Sequence, residues 1–333
     1  MTEPVDLVYL WCDMADPVWN RKRAETLARF GKSVDLKSNA DCRGIAHDEL
    51  RFSLRSASRA APWIRRVYVI VDDDNRPPDW LASDGDRLRI VRMSEMMPAE
   101  YLPCYCSDTI EHFLHRIPDL TERFLYANDD MMFYRALTPE FFFTPEGKTV
   151  CRFGKRRTSV KGTEHYTTYH ACIENSEELV RRTFGLSADF AKAFRRAPHH
   201  NIDAYLKSAM TECFDRFRGE FEASGAFAKP FRTYENYQRL LYTYYELATG
   251  RGVFRRAGFN SGVSFMALRR LLPAWADSLH FIRSGWQDGL SQLRRLNPGL
   301  FCFNDTVQTT EADRAWLHGV YETLFPEPCA FER

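Results

Sequence analysis

Two rhythms of apolar and polar residues alternate along the first 135 positions. Asp6-Leu7-Val8-Tyr9-Leu10-Trp11 and Val67-Tyr68-Val69-Ile70-Val71 are short apolar runs, of the kind buried on both faces of a parallel sheet. The segment 123–127, Arg123-Phe124-Leu125-Tyr126-Ala127, is a third. Arg87-Leu88-Arg89-Ile90-Val91-Arg92 alternates charged and apolar side chains, as a half-exposed strand does. Between these runs the period lengthens. Leu50, Leu54, Ala57 and Ala61 fall at helical spacing, so 47–60 is predicted helical, with Asp48 and Glu49 suited to its N-terminus. Ile110, Phe113, Leu114 and Ile117 predict a second helix over 108–117, with Asp108 and Glu111 at capping-box spacing. Strand and helix in alternation predict an α/β fold, a mostly parallel sheet flanked by helices.

Past about position 138 the helical period dominates. Residues 174–196 read as a helix. His199-His200 precede a stronger amphipathic one carrying Ile202, Leu206, Ala209, Cys213, Phe217 and Phe221. Another covers 235–249, with Leu240, Leu241, Tyr244 and Leu247 inward. Phe141-Phe142-Phe143 is expected to be buried. Phe301-Cys302-Phe303-Asn304-Asp305 reads as a short strand ending in oxygen donors, and 310–324 as a last helix. With neither repeat nor low-complexity linker, 1–333 is expected to form one compact domain. It divides into an α/β half (1–150), a mostly helical insertion (160–255) and a C-terminal segment (256–333) returning to the core.

Strand ends give these elements chemical interest, because open α/β sheets bind ligands at the carboxyl ends of their strands. The 123–127 run ends in Asn128, Asp129 and Asp130. Adjacent carboxylates repel unless a positive charge stands between them, and hard oxygen donors suit a divalent cation such as Mg²⁺ or Mn²⁺. A plain turn start is the other reading. The first run ends in Cys12-Asp13-Met14-Ala15-Asp16-Pro17. Pro17 forbids a continuing central strand, so Asp13 and Asp16 are either ligand-side carboxylates or turn formers. Lys155-Arg156-Arg157 with Lys161 is a solvated loop or a grip on phosphate.

Bulk properties narrow the class. Hydrophobic residues make up 44% of 333, enough for a sizeable core. The net charge of +1 argues against a nucleic-acid binder, which shows a basic excess. The nine cysteines include no CxxC pair, which disfavours a zinc ribbon and fits reduced, mostly buried thiols. Neither a signal-peptide pattern nor an apolar run of about 20 residues occurs. The expectation is a cytoplasmic protein, at most peripheral to the inner face of a membrane.

Taken in order, these segments resemble the Stealth family of sugar-phosphate transferases, over nearly the whole chain. That family includes bacterial capsule phosphotransferases and the catalytic subunit of the enzyme that tags lysosomal glycoproteins with GlcNAc-1-phosphate. Asp6 to Pro17 is similar to the family's "DLVYTWVDGSDP". The second block includes Glu49-Leu50-Arg51-Phe52-Ser53-Leu54-Arg55-Ser56, Ala61-Pro62-Trp63-Ile64-Arg65 and Leu102-Pro103 to Ser107. It continues through Ile110-Glu111, His115-Arg116-Ile117 and Asn128-Asp129-Asp130. His199-His200-Asn201-Ile202-Asp203 with Phe231-Arg232-Thr233-Tyr234-Glu235 resembles the third block, and Phe303-Asn304-Asp305 the fourth. The chain departs from the family at Ala46 and His47, where Asp-Asn is usual, at Cys104-Tyr105-Cys106, and at Met14, where a Gly is usual.

The resemblance implies a GT-A-like fold. It also implies transfer of a sugar-1-phosphate from a nucleotide-sugar, a UDP-sugar foremost, to a hydroxyl of an oligo- or polysaccharide in capsule or exopolysaccharide synthesis. Asp129 and Asp130 would hold the cation, with Asn304 and Asp305 as further ligands, and Asp130 is counted with the catalytic groups. His200 would be the general base, with His199 as its alternative. At a predicted helix N-terminus it would also favour a nearby phosphate. Arg232 would grip phosphates, or else form a surface ion pair with Glu235. Asp13, Asp16 and Asn128 fall near the donor, and Arg51 and Arg55 at its diphosphate or on a solvated face. Ser107 and Glu111 fall at the sugar, Glu111 being equally a helix cap, and His115 either joins them or is buried and structural. A glycosyltransferase releasing nucleoside diphosphate, and an inactive binding homologue, are the competing readings.

Overall fold

A computed structural model describes residues 3–30, 48–82, 85–164, 166–258, 277–281, 286–306 and 308–333. Its main sheet has five strands in the order β3-β2-β1-β4-β8. The strands β1 (Val5–Trp11), β2 (Ile64–Val71), β3 (Leu88–Arg92) and β4 (Arg123–Asn128) are parallel. They are the four runs picked out by pattern. The strand β8 (Asp203–Leu206) joins β4 antiparallel. Helices pack on both faces, so the central strands have no solvent face to alternate toward. Only Leu10 breaks the burial of β1.

The helix α1 (Pro17–Phe30) starts where the sequence leaves the first strand. Asp16 accepts hydrogen bonds from the backbone N–H groups of Val18 and Trp19, and Pro17 takes the first helical position, where its missing donor is harmless. The helix α2 (Glu49–Ala60) buries Leu50, Phe52, Leu54, Ala57 and Ala60. Its serines fix a neighbour: Ser53 donates to the carbonyl of Met131, and Ser56 accepts from the N–H of Phe133. Those bonds hold β5 (Met131–Phe133), the strand immediately after Asp129-Asp130. The short helix α3 (Met93–Met96) follows β3.

Two smaller sheets complete the frame. In one, β10 (Ser278–Phe281) runs parallel to β11 (Leu300–Phe303), which runs antiparallel to β5. In the other, β7 (Arg196–Pro198) and β9 (Gly252–Arg256) flank β6 (Thr149–Arg157). The predicted 174–196 helix is two helices, α5 (Thr168–Phe184) and α6 (Ala188–Ala193), parted at Gly185 with φ 70°. The helices α7 (Lys207–Ser224) and α8 (Leu240–Ala248) cover the main sheet; α9 (Trp286–Leu296) and α10 (Glu311–Leu324) cover the β10-β11-β5 sheet.

Three expectations need correction. The 108–117 helix is a short α4 (Ser107–Glu111) and then a separate 3-10 turn, Leu114–Arg116. Asp108 does not cap it: the carboxylate pairs with Arg232 instead. The stretch after His200 is not a helix start, because 203–206 is β8 and α7 begins at Lys207. Apolar Ile202, Ala204 and Leu206 fit a period of two as well as one of four, and edge pairing with β4 settles it. The basic triplet 155–157 ends a strand rather than sitting in a loop. Ala46 and His47 lie outside the described residues.

Candidate active site

Three sheets meet at one corner. At the end of β4 the chain turns through Asp129 and Asp130 and enters β5, leaving the main sheet for the β10-β11-β5 sheet. At the end of β7 it turns through His199 and His200 and enters β8, arriving in the main sheet from the third. Asn304 follows β11 directly, its N–H bonded to the carbonyl of Phe281. Its side-chain amide donates to Asp130 Oδ2 at 2.8 Å. In register, Cys302 lies beside Met131 on one side and His280 on the other. Its thiol stands against Asp130, and burial together with that carboxylate pushes its pKa well up. The His200 and His280 rings lie 4.3 Å apart. Asp129, Asp130, Asn304 and His200, distant in sequence, thus converge on Cys302 and His280, which the sequence did not single out as site residues.

The carboxylates act on one another. Burial raises the pKa of Asp129 well above the usual range, and Asp130 and Glu49 raise it further. Tyr321 of α10 stands in the field of Glu49, Asp130 and Asp129. Its hydroxyl is buried without a hydrogen-bond partner among the described residues. Two aspartates, a third carboxylate nearby and an asparagine oxygen match a hard divalent cation, which would restore the charge balance. Asp305 does not fit this set, contrary to expectation. Its carboxylate accepts from Arg314 Nε at 2.9 Å, so of the two tail residues only Asn304 reaches Asp130.

Glu49 also lines a cleft of about 430 Å³, together with Trp11, Asp13, Asp16, Arg76 and Trp80 among others. The cleft lies at the carboxyl ends of β1 and β2, as expected for a ligand site in an open α/β sheet. Asp13 and Asp16 therefore do line the cleft. Both are also turn formers. Asp13 Oδ1 accepts from the N–H of Ala15. Asp16 caps α1 and accepts from the N–H of Arg76, and these backbone bonds, Trp19's foremost, lower its pKa. The guanidinium of Arg51 lies 4.8 Å over the Trp80 ring and pairs with Glu332 and Asp48.

Arg55 departs from expectation. Its Nε and Nη2 both bond Glu332 at 2.7 Å, and Nη1 bonds the carbonyl of Phe325. It ties the C-terminal tail to α2. Arg232 is not a surface group paired with Glu235, whose partner is Lys229. It is mostly buried, with Nε 2.7 Å from Asp108 Oδ2 and a bond to Ser107 Oγ at 3.0 Å. Ser107 thus orients Arg232.

A buried polar network backs the corner. His199 is 1% exposed, with Nε2 2.6 Å from Asp203 Oδ1 and Nδ1 3.3 Å from Ser278 Oγ. Both ring nitrogens are engaged, whereas the next residue, His200, is half-buried. Burial alone would raise the pKa of Asp203, but His199 and Arg239 outweigh it and hold it low. Arg239 also reaches Glu111 and lies over the Tyr126 ring. The Tyr126 hydroxyl bonds Glu111 at 3.0 Å and Asn128 at 3.2 Å. Burial pushes the Glu111 pKa up to about 7 against the pull of Arg239. Glu111 is therefore neither an exposed sugar contact nor a helix cap. His115 packs on Phe214 at 4.9 Å, its pKa lowered to about 4 by burial, so it is structural. Arg239 and Glu49 were missed too. Nothing in their local sequence marks them, because their partners are distant in the chain, 36 and 128 residues away for Arg239.

These features define a class before they define a family. A parallel 3-2-1-4 sheet with an antiparallel neighbour, and a carboxylate pair at its carboxyl edge, is a GT-A-like α/β arrangement. A galactosyltransferase, LgtC, overlaps 98% of this chain and 96% of its own with a TM-score of 0.44 at 13% identity. Mouse xyloside xylosyltransferase 1 overlaps 90% and 98% with a TM-score of 0.38 at 10% identity. Residues 43–151 match Stealth protein CR2, conserved region 2. The chain belongs to the Stealth family. It is 33% identical over 337 residues to exopolysaccharide phosphotransferase SCO6021 of Streptomyces coelicolor, covering 99% of this chain and 57% of that protein. It is 33% identical over 344 residues to exopolysaccharide phosphotransferase CpsY of Mycobacterium leprae, covering 100% and 58%. The chain therefore spans little more than half the length of these curated relatives. No helix among the described residues is long and apolar enough to cross a membrane.

Proposed function

We propose that this chain transfers a sugar-1-phosphate from a nucleotide-sugar, a UDP-sugar first among candidates, to a hydroxyl of a saccharide acceptor. A phosphodiester forms and nucleoside monophosphate leaves. The names of its relatives favour exopolysaccharide synthesis as the setting. The observation that carries the reading is the corner itself. A half-buried carboxylate pair, an asparagine from a distant strand and a histidine meet at one corner, and Glu49, whose charge acts on Asp129, also lines a cavity of nucleotide size.

In this reading the nucleoside occupies the cleft between Trp11 and Trp80, with its diphosphate toward Asp129 and Asp130. Those two residues and Asn304 would hold Mg²⁺ or Mn²⁺, which would neutralise the phosphate oxygens when bound. His200 accepts the proton of the acceptor hydroxyl as its oxygen attacks phosphorus. The phosphorus–oxygen bond to the nucleoside phosphate breaks. Arg232, fixed by Asp108 and Ser107, is assigned to the phosphoryl oxygens. The Tyr169 ring lies 6.5 Å from His200 and feels the charges of Arg239 and Arg232. His199, Asp203 and Arg239 hold the His200 turn rigid.

The test is to supply UDP-, GDP- and CDP-sugars with Mg²⁺ or Mn²⁺ and oligosaccharide acceptors, and to identify the nucleotide released. Acceptor-dependent monophosphate, lost in Asp130→Asn and His200→Ala, is the expected result. Diphosphate in its place would make the protein a glycosyltransferase. Metal-dependent binding without turnover would make it an inactive homologue.

A further inference from the structure

The mechanism leaves His280 and Cys302 without a task. They are neighbours by construction, directly opposite each other in the parallel β10–β11 pair. Side chains alternate along these strands. Leu279, Phe281, Phe301 and Phe303 enter the cluster covered by α9 and α10, which turns His280 and Cys302 the other way, toward the corner. His200 reaches the same point from the β7–β8 turn, where it holds a φ of 52°. A non-glycine residue in that left-handed region is uncommon and is kept only where the surroundings enforce it. The ligand atoms of His200, His280 and Cys302 all lie within 4.8 Å of one another. Zinc bonded to nitrogen and sulfur at ordinary lengths needs donors about 3.5 Å apart, so modest side-chain rotation closes the set.

We propose that His200, His280 and Cys302 form a binding site for a thiophilic divalent ion of the zinc class, distinct from the hard-cation site at Asp129 and Asp130, and that its occupation withdraws the His200 imidazole from proton transfer. Two imidazoles and a thiolate select zinc or cobalt over magnesium. Binding releases the thiol proton to solvent, because the thiolate is the ligand. The second half of the proposal rests on the role of His200 given above; the site itself does not.

The test titrates the metal-free protein with Co²⁺ and reads the thiolate-to-cobalt charge-transfer band. One equivalent should saturate it. Zn²⁺ should displace the band, and a large excess of Mg²⁺ should not. Cys302→Ser should abolish it, and His280→Gln should weaken cobalt binding by more than the roughly 10–100-fold that loss of a merely supporting contact gives. Asp129→Asn should keep it. No band in the wild-type chain, displacement by Mg²⁺, or an unchanged band in Cys302→Ser would each overturn the site. The wild-type titration with Zn²⁺ and Mg²⁺ decides even where a variant fails to fold. Because the band is read without turnover, it stands or falls separately from the transferase reading. With turnover established, Zn²⁺ at one equivalent should inhibit in the presence of saturating Mg²⁺ or Mn²⁺. Full activity of the zinc-loaded enzyme would overturn the coupling to His200.

Discussion

Arg232 is asked to do two jobs, and a pair of substitutions separates them. Its Nε lies 2.7 Å from Asp108 Oδ2, with side-chain exposures of 15% and 2%. At an effective dielectric constant of about 20, opposite charges at that separation attract by roughly 6 kcal/mol. Much of that is offset by the water both groups gave up. Truncating one partner is the harsher change, because the other stays buried and charged. Arg232→Gln should therefore lower the unfolding free energy by about 3–5 kcal/mol. Adding Asp108→Asn removes the stranded charge, and Arg232→Gln with Asp108→Asn should recover most of the loss. Urea unfolding followed by circular dichroism measures both steps. Activity should not follow. If the guanidinium touches the transferring phosphoryl group, the double variant folds and still releases no monophosphate. A double variant that regained both stability and turnover would reduce Arg232 to scaffold. A single variant losing under about 1 kcal/mol, as exposed ion pairs do, would refute the buried pairing.

Three further outcomes test other parts of the structure. Arg55→Ala should destabilise the fold by about 1–3 kcal/mol, the range for hydrogen bonds to charged groups, by releasing the tail held through Glu332; the KM for donor should not move, and a raised KM would return Arg55 to the diphosphate. Glu246 is buried, accepts from Thr149 and from the N–H of Leu206 at 3.0 Å, and has its pKa raised by burial to about 8. The folded state thus keeps a proton that the unfolded chain loses near pH 4.5, so between there and about pH 8 this group subtracts stability as pH rises, by up to about 1.4 kcal/mol per pH unit. Glu246→Gln should then gain on the wild type across that window in pH-dependent melts, and parallel curves would exclude the assignment. His115→Phe should leave turnover and donor KM unaltered, since the ring packs on Phe214; a rise in KM would restore His115 to the sugar.

Much of the first 135 residues was legible because each element there speaks for itself. The strands β1, β2 and β4 are buried on both faces, so each appears as an unbroken apolar run, and the residues just past their carboxyl ends mark the ligand edge. That logic reached Asp13, Asp16, Asp129 and Asp130. It fails where identity depends on a distant partner. Ile202 to Leu206 satisfies helical and strand periods alike, and only pairing with β4 makes it β8. The short strands β5 and β10 hold three and four residues, too few for any period to declare itself, although their neighbour β11 was legible at 301–303. Yet they bring Asn304 across 174 positions to Asp130.

The misreading of 202–206 matters for chemistry. A helix start at His200 would have supplied a dipole and free N–H groups for a phosphate. As a turn between two sheets, with its φ at 52°, His200 has neither. Its placement comes instead from its neighbours: His199 locked to Asp203 and Ser278 on one side, and Asn201 bonded to the carbonyl of Leu279 on the other. Both anchors reach β10, the strand that carries His280. A base held this way is positioned by the β10-β11-β5 sheet rather than by a helix, so Asp203→Asn, which loosens His199 and strands the charge of Arg239, should lower kcat more than it changes donor KM. An unchanged kcat in a folded Asp203→Asn protein would mean that the turn holds His200 without this network.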